Sequence, residues 1–174
     1  LGISWFWFFG SAMTIQIPAY TLDILNGNEA VTTFLLAAFA VGVGIGSLLC
    51  ERLSGHRIEL GLVPFGAIGL SVFALDLYFA QPHAQSVPVS SIAEFLARPG
   101  GMRVWIDLAL IGAFGGFYSV PLYALIQKRS NKRHLSRIIA ANNIINAFLM
   151  VGAAVMWSAR FVDERLAERA AVRP

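Results

Sequence analysis

The chain has 174 residues, of which 57% are apolar and 13% charged, with a formal net charge of +3 and a mean hydropathy of +0.67. A water-soluble domain carries about a quarter charged residues to coat its surface, so this composition excludes an ordinary soluble globule and implies a chain solvated by lipid. The basic balance does not point to nucleic acid, because the Lys and Arg residues sit in short turns between apolar runs, where membrane topology accounts for them.

Crossing the hydrocarbon as a helix takes about 20 mostly apolar residues. Such runs occur at about 1–20, 30–50, 60–80, 104–127 and 138–159, and none shows the two-residue alternation of a barrel strand. The expected fold is therefore an all-α transmembrane bundle of about five spanning helices, with surface amphipathic helices in addition. The first run opens on Ile3-Ser4-Trp5-Phe6-Trp7-Phe8 with no charged region ahead of it, which does not read as a signal peptide. An opening inside an apolar segment is expected of a piece of a longer protein. Gln16 and Tyr20 flank Pro18, which frees a backbone carbonyl and can bend the helix. The following turn holds Asp23 and Glu29 and no base.

In the second run Gly42 and Gly46 form a GxxxG pair, repeated by Gly112 and Gly116 in the fourth, and Gly66 and Gly69 lie in the third. Small residues on one face let helix backbones approach closely, which lipid does not otherwise promote. The Gly42-Gly44-Gly46 cluster lacks the spacing, preceding strand and downstream acid of a dinucleotide loop. After the second run come Glu51, Arg52, Gly55, His56 and Arg57. The third run carries Asp76, which has no partner nearby in sequence and is a candidate for a coupling-ion or ammonium contact.

In the loop from 81 to 101, Arg98 is the one Lys or Arg. Ser91 and Glu94 have capping-box spacing, and Ile92, Phe95 and Leu96 make a small apolar face expected to lie on the membrane surface. In the fourth run Asp107 lies four residues from Arg103, the spacing of an ion pair on one helix face, and Tyr118 and Tyr123 flank Pro121. A strongly basic turn follows: Lys128, Arg129, Lys132, Arg133, His134 and Arg137. Its charge serves topology, and anionic lipid phosphates are a further possible contact. In the fifth run Asn142, Asn143 and Asn146 are polar groups costly in lipid, suited either to a lipid headgroup or to a neighbouring helix. The tail from Arg160 to Arg173 mixes charges with Phe161, Val162, Leu166 and Ala170, the composition of a helix lying on the membrane. Alternate loops are thus basic, which puts the amino end and the 51–58 and 128–137 turns in the cytoplasm.

The turn from Gly46 to Arg57 resembles the signature loop of the major facilitator superfamily, Gly-x-x-x-Asp-Arg-x-Gly-x-Arg. Glu51 stands for the Asp, Ser47 takes the first Gly's place, and one extra residue precedes Gly55. The resemblance implies a conformational latch of Glu51, Arg52, Gly55 and Arg57; read from the residues alone, the stretch is an ordinary positive-inside turn. Gly115-Gly116-Phe117-Tyr118-Ser119-Val120-Pro121-Leu122-Tyr123 and Ser136-Arg137-Ile138-Ile139-Ala140-Ala141-Asn142-Asn143 resemble the lysophospholipid transporters of that superfamily, in particular the forms fused to acyltransferase and acyl-carrier-protein synthetase modules.

The resemblance implies the carboxy-terminal half of such a transporter, its sixth helix missing, in a bacterial inner membrane. It implies alternating-access movement of lysophospholipids such as lyso-phosphatidylethanolamine. The implied partners are the substrate, membrane lipids, an amino-terminal half and fused acyltransferase modules. Gln16, Tyr20, Asp76, Tyr118, Asn142, Asn143 and Asn146 are the substrate-site candidates, and Gly42, Gly46, Gly112 and Gly116 the packing residues. No cofactor, metal site or catalytic set is expected: His56, His83 and His134 are scattered, Cys50 is single, and no His-x-x-x-x-Asp pair occurs. A non-transporting scaffold for a lipid acyltransferase, or a transporter of another amphiphile, are the competing readings.

Overall fold

The computed structural model describes residues 1–55, 59–80 and 88–171, with side chains to residue 160. Every regular element among them is helical: α1 Gly2–Ala19, a π-helical turn Tyr20–Ile24, α2 Glu29–Leu53, α3 Leu62–Phe79, α4 Ile92–Ala97, α5 Gly101–Arg129 and α6 Leu135–Ala171. Four of them, α2, α3, α5 and α6 over Leu135–Arg160, are long and apolar enough to cross a membrane. α1 has spanning length, but Trp5, Trp7, Gln16 and Pro18 dilute its apolar content, and it falls outside that set. The outward faces are apolar: Val41, Ile68, Leu75, Phe79, Phe148 and Val155 are each more than half exposed. Contiguous apolar faces of this kind belong against lipid or other helices. The protein is an all-α membrane bundle.

The described residues fall into two compact units, 16–131 and 1–15 with 132–174. In the first, α5 lies between α2 and α3. α2 and α5 run parallel and meet through their glycines: a Cβ on Gly42 would overlap the Ala109 carbonyl oxygen, one on Gly46 that of Ala113, and one on Gly112 that of Phe39. On Gly116 it would lie 2.5 Å from the Ser47 nitrogen. The two GxxxG faces therefore mesh at backbone contact, where dispersion replaces the missing hydrophobic drive. Val31 and Leu35 of α2 and Val104, Leu108 and Ile111 of α5 are fully buried in this unit. α3 runs antiparallel to α5, with Gly66 against the Tyr118 backbone and Gly69 under the Phe114 ring. Phe65, Phe73, Phe114 and Phe117 form an aromatic cluster with centroids 5.2–5.9 Å apart.

These directions bring alternate loops to the same end. Asn26, held at φ +49°, accepts from the Val89 N–H at 2.7 Å, and the Asn28 amide donates to the Ser90 carbonyl at 3.0 Å. The acidic turn and the long loop thus share one end, while Arg52 and the Lys128-Arg129 pair close α2 and α5 at the other. α4 is seated on the first end. Its Ser91 hydroxyl caps the Glu94 N–H as expected, but the Glu94 carboxylate accepts from Ser90 N–H and hydroxyl at 2.9 and 2.7 Å and from Arg98 at 2.9 Å. The face expected to lie on the membrane turns Phe95 into the protein, 2% exposed, with its carbonyl where a Cβ on Gly101 would sit.

In the second unit α6 is continuous over 37 residues, about 55 Å, well beyond the ~30 Å hydrocarbon core. The tail expected to lie as a separate surface helix instead prolongs α6, because nothing from Trp157 to Ala171 is Gly or Pro and nothing breaks the helix.

Candidate functional site

The antiparallel register of α3 and α5 sets the first polar cluster. Asp76, three residues before the end of α3, comes level with Arg103, two residues into α5. Arg103 donates through Nε to Asp76 Oδ2 at 3.0 Å and through Nη2 to Oδ1, a two-pronged fit of guanidinium to carboxylate. One turn further into α5, Asp107 is 2% exposed and its Oδ2 has no hydrogen-bond partner among the described residues. It lies within electrostatic reach of Asp76, Arg103 and Tyr20. This corrects the expected pairing. Arg103 bonds across to Asp76 rather than along its own helix to Asp107, so the acid that lacked a local partner is the paired one and the other is buried. The interhelical pair wins because the fork engages both Asp76 oxygens while locking α3 to α5.

Tyr20 opens the π-helical turn that follows Pro18, closed by Leu25 N–H on Tyr20 O at 3.1 Å. A π turn is a common answer to a disrupted ladder and re-aims the side chains it carries. The Tyr20 hydroxyl is buried and, like Asp107 Oδ2, has no hydrogen-bond partner among the described residues. Gln16 is half-buried in α1. Tyr118 is half-buried in α5, its backbone against Gly66.

The second cluster lies within the other unit. With its amide oriented to satisfy its neighbours, Asn146 donates to Ser4 Oγ at 2.8 Å and to the Asn142 carbonyl at 3.0 Å. It accepts from Trp7 Nε1 at 3.3 Å and from Asn142 Nδ2 at 3.0 Å. Asn146 is 5% exposed and Ser4 1%. Its amide thereby links α6 to α1. Asn142 supports it from half-buried ground, and Asn143 is exposed. Ser4 and Trp7 were not legible as partners, since only the opening motif marked them.

At the end of α2, Glu51 and Arg52 are exposed, and Gly55, at φ +55°, returns its N–H to the Arg52 carbonyl at 3.2 Å. That left-handed position favours glycine and ends the helix. Arg57, His56 and His83 lie outside the described residues. Among the described residues no group of three or more His, Cys, Asp or Glu could hold a metal ion. Between α2 and α5 there is also an apolar groove of about 320 Å³, running from Phe34 and Trp105 to Ile45 and Ala113.

Helices of spanning length, apolar outward faces, glycine-to-backbone packing and buried polar links define a multi-pass α-helical membrane protein. Comparison with known proteins then narrows the class. The chain is 30% identical over 131 residues to the lysophospholipid transporter LplT of Enterobacter sp. (strain 638), covering 74% of this chain and 28% of that protein. It is 27% identical over 147 residues to that of Cronobacter sakazakii (83% and 31%) and 26% over 133 residues to that of Escherichia coli O157:H7 (76% and 29%). Over about three quarters of its length the chain is thus similar to proteins named lysophospholipid transporters. It spans under a third of the length of these relatives. No family model matches it, and no solved structure does.

Proposed function

We propose that this chain is part of a secondary transporter that carries lysophospholipids, lyso-phosphatidylethanolamine among them, across a bacterial inner membrane by alternating access. The observation that carries the reading is the likeness, over about three quarters of the chain, to proteins named lysophospholipid transporters. The architecture supports it. The tightly meshed α2–α5–α3 group suits a rigid body that rocks against another, as alternating access requires. On this reading the Lys- and Arg-bearing end of α2 and α5 faces the cytoplasm and the Asn26 end faces outward. Glu51, Arg52, Gly55 and Arg57 form the latch, and Gln16, Tyr20, Asp76, Tyr118, Asn142, Asn143 and Asn146 are the candidates to meet the headgroup. The remaining partners are the surrounding lipid and a second helical bundle from the rest of the longer protein.

The test is a flip assay with the complete protein in proteoliposomes. Protein-dependent movement of lyso-phosphatidylethanolamine is expected, and equal movement with and without protein ends the proposal. Orientation is read separately in intact cells. A membrane-impermeant thiol reagent is expected to label Asn26→Cys and not Asn131→Cys; the opposite pattern inverts the topology.

A further inference from the structure

We propose that Asp107 is a proton-binding site, and that losing the proton moves Arg103 from Asp76 on α3 to Asp107 on its own helix. The inference goes beyond the transport reading and does not rest on the identity of the lipid. Asp107 is 2% exposed, and its Oδ2 has no hydrogen-bond partner among the described residues. The side chain within hydrogen-bonding reach of it is another acid, Asp76. Two ionised carboxylates repel at that range, whereas a protonated one donates its hydrogen to the other. Arg103 does not relieve the conflict, because its Nε and Nη2 both go to Asp76, Nε at 3.0 Å.

Charge counting agrees. With Asp107 protonated, the cluster holds one guanidinium and one carboxylate and is neutral. With Asp107 ionised it carries a net negative charge inside a helix of spanning length, which burial penalises heavily. The groups that face Asp107 are Asp76 from α3, Arg103 from α5 and the Tyr20 hydroxyl from the π-helical turn. Among the described residues, α2 and α4 bring no charged side chain within electrostatic reach of it. A metal cation suits this setting poorly. Hard cations take about six oxygen ligands, and Arg103 one turn away opposes a second positive charge. A proton needs one carboxylate.

The sequence spacing supplies the other end of the switch. Asp107 follows Arg103 by four residues, the separation at which a guanidinium and a carboxylate meet on one helix face. When the Asp107 O–H bond breaks, the electron pair stays on the carboxylate and the proton passes to water. The way out runs beside the Asp76–Arg103 pair, whose side chains are 38% and 50% exposed. Arg103 then exchanges Asp76 for the acid on its own helix, and the bond that locks α3 to α5 opens. The buried Tyr20 hydroxyl, without a hydrogen-bond partner among the described residues, has the chemistry for either state: acceptor to the neutral acid, donor to the ionised one.

The experiment is infrared difference spectroscopy of the complete protein in proteoliposomes, titrated from about pH 4.5 to about pH 9, where an ordinary Asp of pKa about 3.9 is mostly ionised. Expected is the carbonyl stretch of a protonated carboxylic acid that disappears within this range as pH rises and is missing from Asp107→Asn. In Asp76→Asn, Arg103 is free to pair with Asp107, so the band is lost throughout. Asp107→Glu, which keeps an acid, should move the midpoint. A double-mutant cycle of Asp76→Asn and Arg103→Gln, read by melting temperature, gives a second measurement. Coupling between the two positions should be present at the acid end, gone at the alkaline end, and constant at both in an Asp107→Asn background. A wild type without the band, a band that Asp107→Asn leaves in place or that persists to the alkaline end, or an unmoved midpoint in Asp107→Glu overturns the proposal. Loss of the band when sodium replaces potassium at fixed pH overturns it in favour of a metal cation. A wild-type coupling that ignores pH overturns the transfer of Arg103.

Discussion

The sharpest consequence of the packing is that two neighbouring glycines respond to the same substitution with opposite sign. A methyl group on Gly46 would overlap the Ala113 carbonyl oxygen and lie 2.5 Å from its carbonyl carbon and 2.6 Å from its Cα. All three atoms are backbone, so no side-chain rotation relieves the clash. The helices must separate by about 1.5 Å to bring that oxygen out to contact near 3.5 Å, which also opens the Gly42–Ala109 and Gly116–Ser47 contacts. Overpacking of this kind costs about 1–3 kcal/mol. Gly44, two residues away, has nothing within 4 Å of its added carbon. Replacing a mid-helix glycine by alanine there gains about 0.5–1 kcal/mol in backbone entropy. The same entropy gain applies at Gly46, so Gly46→Ala and Gly44→Ala should differ by the clash alone, about 1–3 kcal/mol, with wild type between them. Cys50, buried near the end of α2 and free, supplies the assay: a thiol-reactive fluorophore reports its exposure on heating in mild detergent. A Gly46→Ala protein as stable as wild type, or a Gly44→Ala protein that falls by the same amount, would refute the meshed-glycine interface.

At the Asp76–Arg103–Asp107 cluster, Arg103→Gln should destabilise more than Asp76→Asn. The first leaves two acids with no guanidinium between them, while the second leaves Arg103 an acid one turn away; equal effects in a double-mutant cycle would contradict the register. In α4, the Ser90 N–H and hydroxyl and then Arg98 hold the Glu94 carboxyl down at about 2. Because that value is depressed, its stabilising contribution is complete above the usual 4.5 and is lost as pH falls through about 2. The protection factor of the Ser90 N–H, the free amide's exchange rate divided by its own at the same pH, should fall over that window, and Glu94→Gln should show the lower protection already at neutral pH. Asn146→Leu removes the links to Ser4 and Trp7 and should cost about 1–2 kcal/mol, and an unchanged melting temperature would show that the amide does not join α1 to α6.

What the sequence made legible follows from how far apart the interacting residues are. Apolar runs of spanning length announce α2, α3, α5 and α6 because the bilayer imposes that length, and GxxxG spacing marks Gly42, Gly46, Gly112 and Gly116 because period alone puts them on one face. Partners across helices are different. Asp76 and Arg103 are 27 positions apart, and only the antiparallel register of α3 and α5, set by Gly66 and Gly69 against α5, brings them level; the nearer i,i+4 choice of Asp107 was locally sensible and lost to a two-pronged bond. Asn146 could be assigned a face but not the Ser4 and Trp7 it meets. The groove was hidden for another reason. It is made where side chains are small, so Gly42 reads as a packing residue, and nothing in the sequence marks Ala38 or Ala109, until the helices are placed. In lipid, the same small residues can close an interface on one side and open a channel on the next, and the side a given residue serves is decided only by which backbone lies opposite it.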